Sequence, residues 1–161
     1  FPDALALAPF SARENMPILY TETNQLRKDT KEALQSWGVK KVIIAGGTGV
    51  VSSGVELELA SMGIEIQRLS GQDRYTTALE VAKYFEPRGG YTNISVATGL
   101  NYPDALTGAV LAAKYNAPLV LVNKDKVLNS VAEYFNSQNI ENAFIFGGYG
   151  VVSGTVIRTD N

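Results

Sequence analysis

Two kinds of stretch alternate along this chain. Short apolar runs at 18–20, 42–45, 64–69, 94–97, 119–122 and 143–146 are mostly continuous rather than alternating in polarity. Strands of that kind are buried on both faces and belong to parallel sheets covered by helices. Between them, apolar residues recur at helical spacing: Leu26, Ala33, Leu34 and Trp37, then Ala78, Val81, Ala82 and Phe85, then Val127, Val131, Ala132 and Phe135. Helix starts carry their own marks. Ser70-Gly71-Gln72-Asp73 and Ser53-Gly54-Val55-Glu56 fit a capping box, and Pro2 and Pro103 suit a first helical turn with Asp3 and Asp104 near its positive end. The pattern predicts an α/β fold with parallel sheets covered by helices, Rossmann-like or flavodoxin-like.

The chain also aligns with itself. At an offset of 101, residues 1–60 lie on 102–161 without a gap, with 18 identities in 60 positions. A unit of about 100 residues is the size of a small domain rather than of a solenoid repeat, so the 161 residues hold about 1.6 copies of a tandem module. Retained positions include Pro2/Pro103, Asp3/Asp104, Asn15/Asn116, Pro17/Pro118 and the runs Gly46-Gly47, Gly49-Val50-Val51-Ser52 over Gly147-Gly148, Gly150-Val151-Val152-Ser153. Core positions exchange one apolar residue for another, as in Ile18/Leu119, Leu34/Phe135 and Ile43/Phe144.

Composition narrows the chemistry. The chain has no Cys and no His, which removes disulfides, thiol nucleophiles, imidazole bases and zinc sites built on those ligands. With 14 basic and 16 acidic side chains the formal charge is −2, a poor match to nucleic acid. Apolar runs such as 118–122 are far short of the roughly 20 residues that span a bilayer, and no charged-then-apolar leader opens the sequence at Phe1. Asp3 and Asp104 have no second carboxylate nearby in sequence to split their pKa values, so no catalytic pair is visible.

Three motifs remain. Gly46-Gly47-Thr48-Gly49-Val50-Val51-Ser52 follows a strand and opens a helix, but as a dinucleotide fingerprint it fails at the third glycine, which is Ser52, and the acidic residue expected about 20 positions on is missing. Its backbone donors, like those of Gly147-Gly148, can still hold an anion, although a tight turn needing positive φ accounts for the glycines as well. Arg68-Leu69-Ser70-Gly71-Gln72-Asp73-Arg74-Tyr75 gathers two guanidiniums, a carboxylate and an aromatic at a helix start, suited either to an acidic ligand or to an internal capping network. Thr98-Gly99-Leu100-Asn101-Tyr102-Pro103-Asp104 puts polar groups at a strand end, where open α/β sheets bind ligands. Arg13 and its counterpart Lys114 are basic in both copies, while Lys124 and Lys126 have no basic counterpart and read as a solvated loop. Tyrosines 75, 84, 91, 102, 115, 134 and 149 crowd the second copy, as sugar-stacking rings or as core rings with wet hydroxyls.

The combination of Arg68-Leu69-Ser70-Gly71-Gln72-Asp73-Arg74-Tyr75-Thr76-Thr77-Ala78, Val96-Ala97-Thr98-Gly99, Tyr102-Pro103-Asp104-Ala105-Leu106, Ala117-Pro118-Leu119-Val120-Leu121 and Ile145-Phe146-Gly147-Gly148 with Val151-Val152-Ser153 resembles the type 2 cell-wall-binding repeat of Gram-positive surface proteins. The resemblance covers the whole chain. It implies the back portion of one repeat at 1–66 and a nearly complete repeat at 67–161. It further implies non-covalent anchoring of an extracellular, S-layer or wall-associated protein through an anionic, teichoic-acid-like wall polysaccharide. No nucleic acid, membrane insertion, cofactor, metal or enzymatic step is expected of it. Such repeats commonly pack around a pseudo-three-fold axis, so neighbouring repeats or a homo-oligomer are expected partners. With a net charge of −2, polymer contacts have to be local, and the residues to carry them are Arg68, Arg74, Arg13 and Lys114 with the backbone of Gly46, Gly47, Gly147 and Gly148. Two other readings fit the residues: a small-molecule or nucleotide-phosphate binder using the Gly47 loop, and a purely architectural surface-layer domain.

Overall fold

A computed structural model describes residues 2–100 and 103–156; Phe1, Asn101 and Tyr102 of the motifs above lie outside them. The elements run α1 (Pro2–Arg13), α2 (Lys28–Ser36), β1 (Lys41–Ala45), α3 (Ser53–Ser61), β2 (Glu65–Leu69), α4 (Arg74–Tyr84), β3 (Asn93–Thr98), α5 (Pro103–Lys114), β4 (Leu119–Val122), α6 (Asn129–Asn136) and β5 (Asn142–Phe146), followed by a 3-10 turn at Gly154–Val156. All strand pairing between these elements is parallel. β1 pairs with β2, Ile43 opposite Gln67, and a second sheet has the order β4-β3-β5, with Val96 opposite both Val120 and Ile145. The α/β architecture with parallel sheets is therefore as the apolar pattern requires.

Five of the six expected strands form. The sixth, at 18–20, does not: these residues are irregular and belong to neither sheet. Their counterpart is β4, which lies against β3, whereas no strand among the described residues pairs with 18–20. An apolar run becomes a strand only where another strand satisfies its backbone.

The helix starts also differ in detail. Pro2 and Pro103 do open α1 and α5. The capping box of α4 sits three residues later than the sequence suggested: Asp73 is the N-cap, the Thr76 N–H donates to Asp73 Oδ1 at 2.8 Å, and the Asp73 N–H donates to Thr76 Oγ1 at 3.1 Å. At α3 the N-cap is Ser52, one residue before the Ser53 of the expected box; it makes no side-chain cap bond, and the Glu56 carboxylate expected to complete that box is bonded to Arg68 instead. The retained asparagines end helices. Asn15 and Asn116 follow α1 and α5 with φ of 53° and 50°, the left-handed conformation that asparagine tolerates better than other side chains.

The two cores are unequal. A small one, built from Leu34, Ile44, Val55, Leu59 and Ile64, serves β1, β2, α2 and α3. The larger one gathers Leu79, Val81, Tyr91, Leu119, Leu121, Val131 and Phe135 from the second copy and takes in Ala6 and Phe10 of α1. Phe10 stacks on Phe85 with ring centroids 4.6 Å apart. Helix α1, which belongs by sequence to the first copy, thus packs on α4, β4 and α5 of the second and reaches β1 of its own copy at its start.

Candidate functional site at the junction of the two copies

The carboxyl ends of the parallel strands bring one constellation together. After β1 the chain turns at Gly46, whose φ of 111° is open to glycine and costly for other residues. A Cβ there would stand 3.0 Å from Oδ2 of Asp3, in the first turn of α1. The second copy repeats the arrangement: Gly147 has φ 120°, and its Cβ would stand 3.0 Å from Oδ2 of Asp104. Asp and Gly are retained together because the carboxylate lies against the bare Cα of the turn. Burial raises the Asp3 carboxyl above its ordinary value, with the Arg74 charge pulling the other way.

Arg74 comes from the second copy. It is exposed at the first position of α4 and its Nη1 donates to the Gly99 carbonyl at 2.5 Å, at the end of β3. The next residue, Tyr75, donates its hydroxyl to Asn123 Oδ1 in the turn after β4 and packs so closely on Gly99 that a Cβ there would lie 2.6 Å from the ring. That turn, closed by mutual backbone bonds between Asn123 and Lys126, presents Lys124 and Lys126 to solvent, and the Lys124 carbonyl accepts from the Ser153 N–H at 2.8 Å. Arg74, Lys124 and Lys126 therefore share one rim of the second sheet. The two lysines carry a signal that sequence reasoning passed over, since a cation just after a strand belongs to the ligand-facing end of such sheets.

Arg68 is placed differently. Its side chain is 16% exposed; Nε donates to Glu56 at 2.8 Å, Nη1 to the Gly46 carbonyl at 2.7 Å and Nη2 to the Val51 carbonyl at 2.8 Å. It clasps the Gly46-Gly47 turn from inside. The Gly46 N–H is itself bonded to the Leu69 carbonyl at 2.9 Å, and a turn separates Gly47 from the start of α3 at Ser53, so the glycines do not open the helix as the motif suggested. In the second copy the 3-10 turn at Gly154–Val156 follows Gly147 and Gly148 at the same distance. Arg13 and Lys114 end α1 and α5, each about 15 Å along its helix from Asp3 and Asp104 at 1.5 Å per residue, and stand apart from the strand-end rim. Arg13 pairs with Glu14 at 2.7 Å, bonds Asn116 across the junction and lies over the Phe10 ring; Lys114 lies over Tyr115.

Tyr91 is a core ring with its hydroxyl donating to the Ala82 carbonyl at 2.7 Å, and burial pushes its pKa up. Tyr134 donates to Glu86, whereas Tyr149 is 83% exposed. Among the described residues there is no cluster of three or more metal-ligating His, Cys, Asp or Glu side chains, and no helix is long and apolar enough to cross a membrane.

The family model for cell wall binding domain 2 matches residues 1–56 and 68–157. The chain belongs to this family. It is 35% identical to the N-acetylmuramoyl-L-alanine amidase LytC of Bacillus subtilis over 97% of its own length and 31% of the relative's, and 35% identical to the amidase enhancer of the same organism over 79% of its length and 17% of the relative's. Among solved structures, Cwp6 from Clostridium difficile superposes with a TM-score of 0.86 at 28% identity, covering 97% of this chain and 25% of that one. The chain spans about a third or less of these relatives. As a cell-wall-binding domain it is an extracellular, wall-associated module, and its repeated α/β architecture is that of its structural neighbour.

Proposed function

We propose that this domain is a non-enzymatic anchor that retains a surface protein on the wall by binding an anionic secondary polymer of the teichoic-acid type. Support for this reading comes from family membership and from one local observation: Arg74 is an exposed guanidinium at the carboxyl end of β3, beside the Lys124–Lys126 turn of β4. A guanidinium at the end of one strand and two exposed ammonium groups in the turn after its neighbour suit phosphate or carboxylate groups spaced along a polymer. The Gly46-Gly47 and Gly147-Gly148 turns flank the aspartate-bearing starts of α1 and α5 and shape the same end of the molecule. Arg68 contributes by holding the first of these turns in place. Arg13 and Lys114 form a separate basic end, available to a chain long enough to pass both. Each contact is weak alone, and repetition along a polymer raises the overall affinity.

Co-sedimentation with purified walls, before and after extraction of their anionic polymer and at two salt concentrations, tests the proposal. Binding should disappear on extraction, weaken as salt rises, and fall about tenfold for Arg74→Ala combined with Lys124→Ala and Lys126→Ala. Binding that survives extraction unchanged would assign the ligand to peptidoglycan and overturn the polymer reading.

A further inference from the structure

The two copies build the same backbone frame and furnish it with different side chains. In the first, the Ser52 N–H donates to the Thr23 carbonyl at 2.7 Å; in the second, the equivalent Ser153 N–H donates to the Lys124 carbonyl at 2.8 Å. Each bond ties the end of a glycine turn to a neighbouring loop, 22–25 or 123–126. The first loop reads Glu22-Thr23-Asn24-Gln25 and the second Asn123-Lys124-Asp125-Lys126, so its formal charge changes from −1 to +1. Thr48 of the first glycine turn is Tyr149 in the second. The Tyr149 ring is 83% exposed, and a Cβ built on Gly154 would meet its Cε1 at 3.9 Å. The ring therefore adjoins Gly154, next in the chain to the Ser153 that Lys124 holds. Asn123 is fixed from a third element, since the Tyr75 hydroxyl of α4 donates to its Oδ1. The carboxamide is held through its oxygen, and its Nδ2 protons are left to donate.

We propose that the second frame is a subsite for an anionic sugar. Tyr149 is the platform on which the sugar ring stacks, Asn123 donates to one of its oxygens, and Arg74, Lys124 and Lys126 hold the phosphate or carboxylate it carries. The inference rests on the polymer-binding reading above and goes further by naming the repeating unit and the copy that takes it. A tyrosine ring has an apolar, negative face that suits the C–H face of a sugar, and a linear polyol phosphate has no such face to offer. Apolar surface with a few placed polar groups is the usual make-up of a ligand site. Nor does the turn itself need the aromatic: Gly46 and Gly147 have φ of 111° and 120°, and Thr48 serves in the first copy where Tyr149 stands in the second. The first frame is unsuited to the same ligand. Its loop is negative, and the neighbouring Arg27 is taken up by Asp29 at 2.8 Å and Glu22 at 3.8 Å.

Two purified probes test it on the full 161-residue chain: an oligomer of hexose units joined by phosphodiesters, and an oligo(glycerol phosphate) with the same number of phosphates. The native chain should bind the hexose probe about tenfold more tightly. Tyr149→Ala should weaken that probe about fivefold and leave the glycerol probe within about twofold, with Tyr149→Phe keeping the native preference. Because the side chain is exposed, the melting temperature of Tyr149→Ala should stay within about 2 °C of native. Tyr75→Phe, which withdraws the donor that positions Asn123, should reduce the preference for the hexose probe without changing affinity for the glycerol one. Equal affinity of the native chain for the two probes, binding of neither, or an effect of Tyr149→Ala on both or on neither would overturn the subsite. The wider reading is judged separately: Arg74→Ala with Lys124→Ala and Lys126→Ala should weaken both probes, and loss of neither would sink the anion contacts whatever Tyr149 does.

Discussion

Residues 18–21 and 119–122 occupy the same place in the two copies, both behind a proline, yet only the second set forms a strand. Leu119 and Leu121 are each 2% exposed, while their counterparts Ile18 and Tyr20 are 48% and 68% exposed. β4 lies beside β3; among the described residues the 18–21 segment has no strand beside it. The same contrast runs in the opposite sense for α1 and α5, where the first copy's helix is the better covered. Burial in this molecule is set by which neighbour a segment meets, and each copy completes part of the other.

The comparison is broken most severely at Phe10. Truncation of this ring to Ala removes a stacked core residue and should cost about 3–5 kcal/mol, whereas Leu111→Ala, at the equivalent but exposed site, should cost about 1 kcal/mol or less. Urea midpoints decide the matter, and equal losses would mean that the two helix faces are not the different environments described.

A second pair of sites sharpens it. Arg68→Met removes two bonds to carbonyls of the Gly46 turn and leaves Glu56 without its partner, at a cost of about 1–3 kcal/mol. Hydrogen exchange should then quicken at Gly46–Val51 by about tenfold while the equivalent turn at Gly147–Val152, which Arg68 does not touch, keeps its rate. Acceleration in both turns, or in neither, contradicts the clasp.

The smallest effect concerns Asp3. Desolvation holds its carboxyl above the roughly 3.9 of an unfolded chain, so the folded state binds this proton more tightly than the unfolded state. The stabilisation from that proton is fully present below the unfolded value and is lost as pH rises through the folded one. Relative to Asp3→Asn, the native chain should therefore lose stability as pH rises above about 3.9, read as the difference of denaturation midpoints. A difference that stays flat, or grows in the native chain's favour, would refute the desolvated carboxylate.

Much of this was legible in the sequence. The repeat register, five strands, the proline helix starts and the glycine turns follow from local pattern, because period, φ preference and missing N–H groups act within a few residues. Other features depend on contacts between distant positions. Nothing local in Ile18-Leu19-Tyr20 says that it pairs with no strand among the described residues, and nothing in Arg68 says that it turns inward to two carbonyls rather than outward to a ligand. The Asp3–Gly46 contact was half visible: both residues have counterparts at the same offset, and two retained positions 43 residues apart are candidates for touching. The cap at Asp73 went to the neighbouring turn because Asp73 and Thr76 satisfy each other's backbone, a geometry that Ser70 and Asp73 do not share.

Helix α1 sits in one copy by sequence and in the other by core, and this has a consequence for recombination. A crossover at the sequence boundary near residues 66–67 would hand the incoming module a helix whose Ala6 and Phe10 were shaped against a different α4 and β4. A crossover between Arg13 and Lys28, through the irregular segment that follows α1, would move that helix together with the surface it fills. In chains of this kind, the stretch that is copied as a unit and the stretch that can be exchanged as a unit are offset from one another.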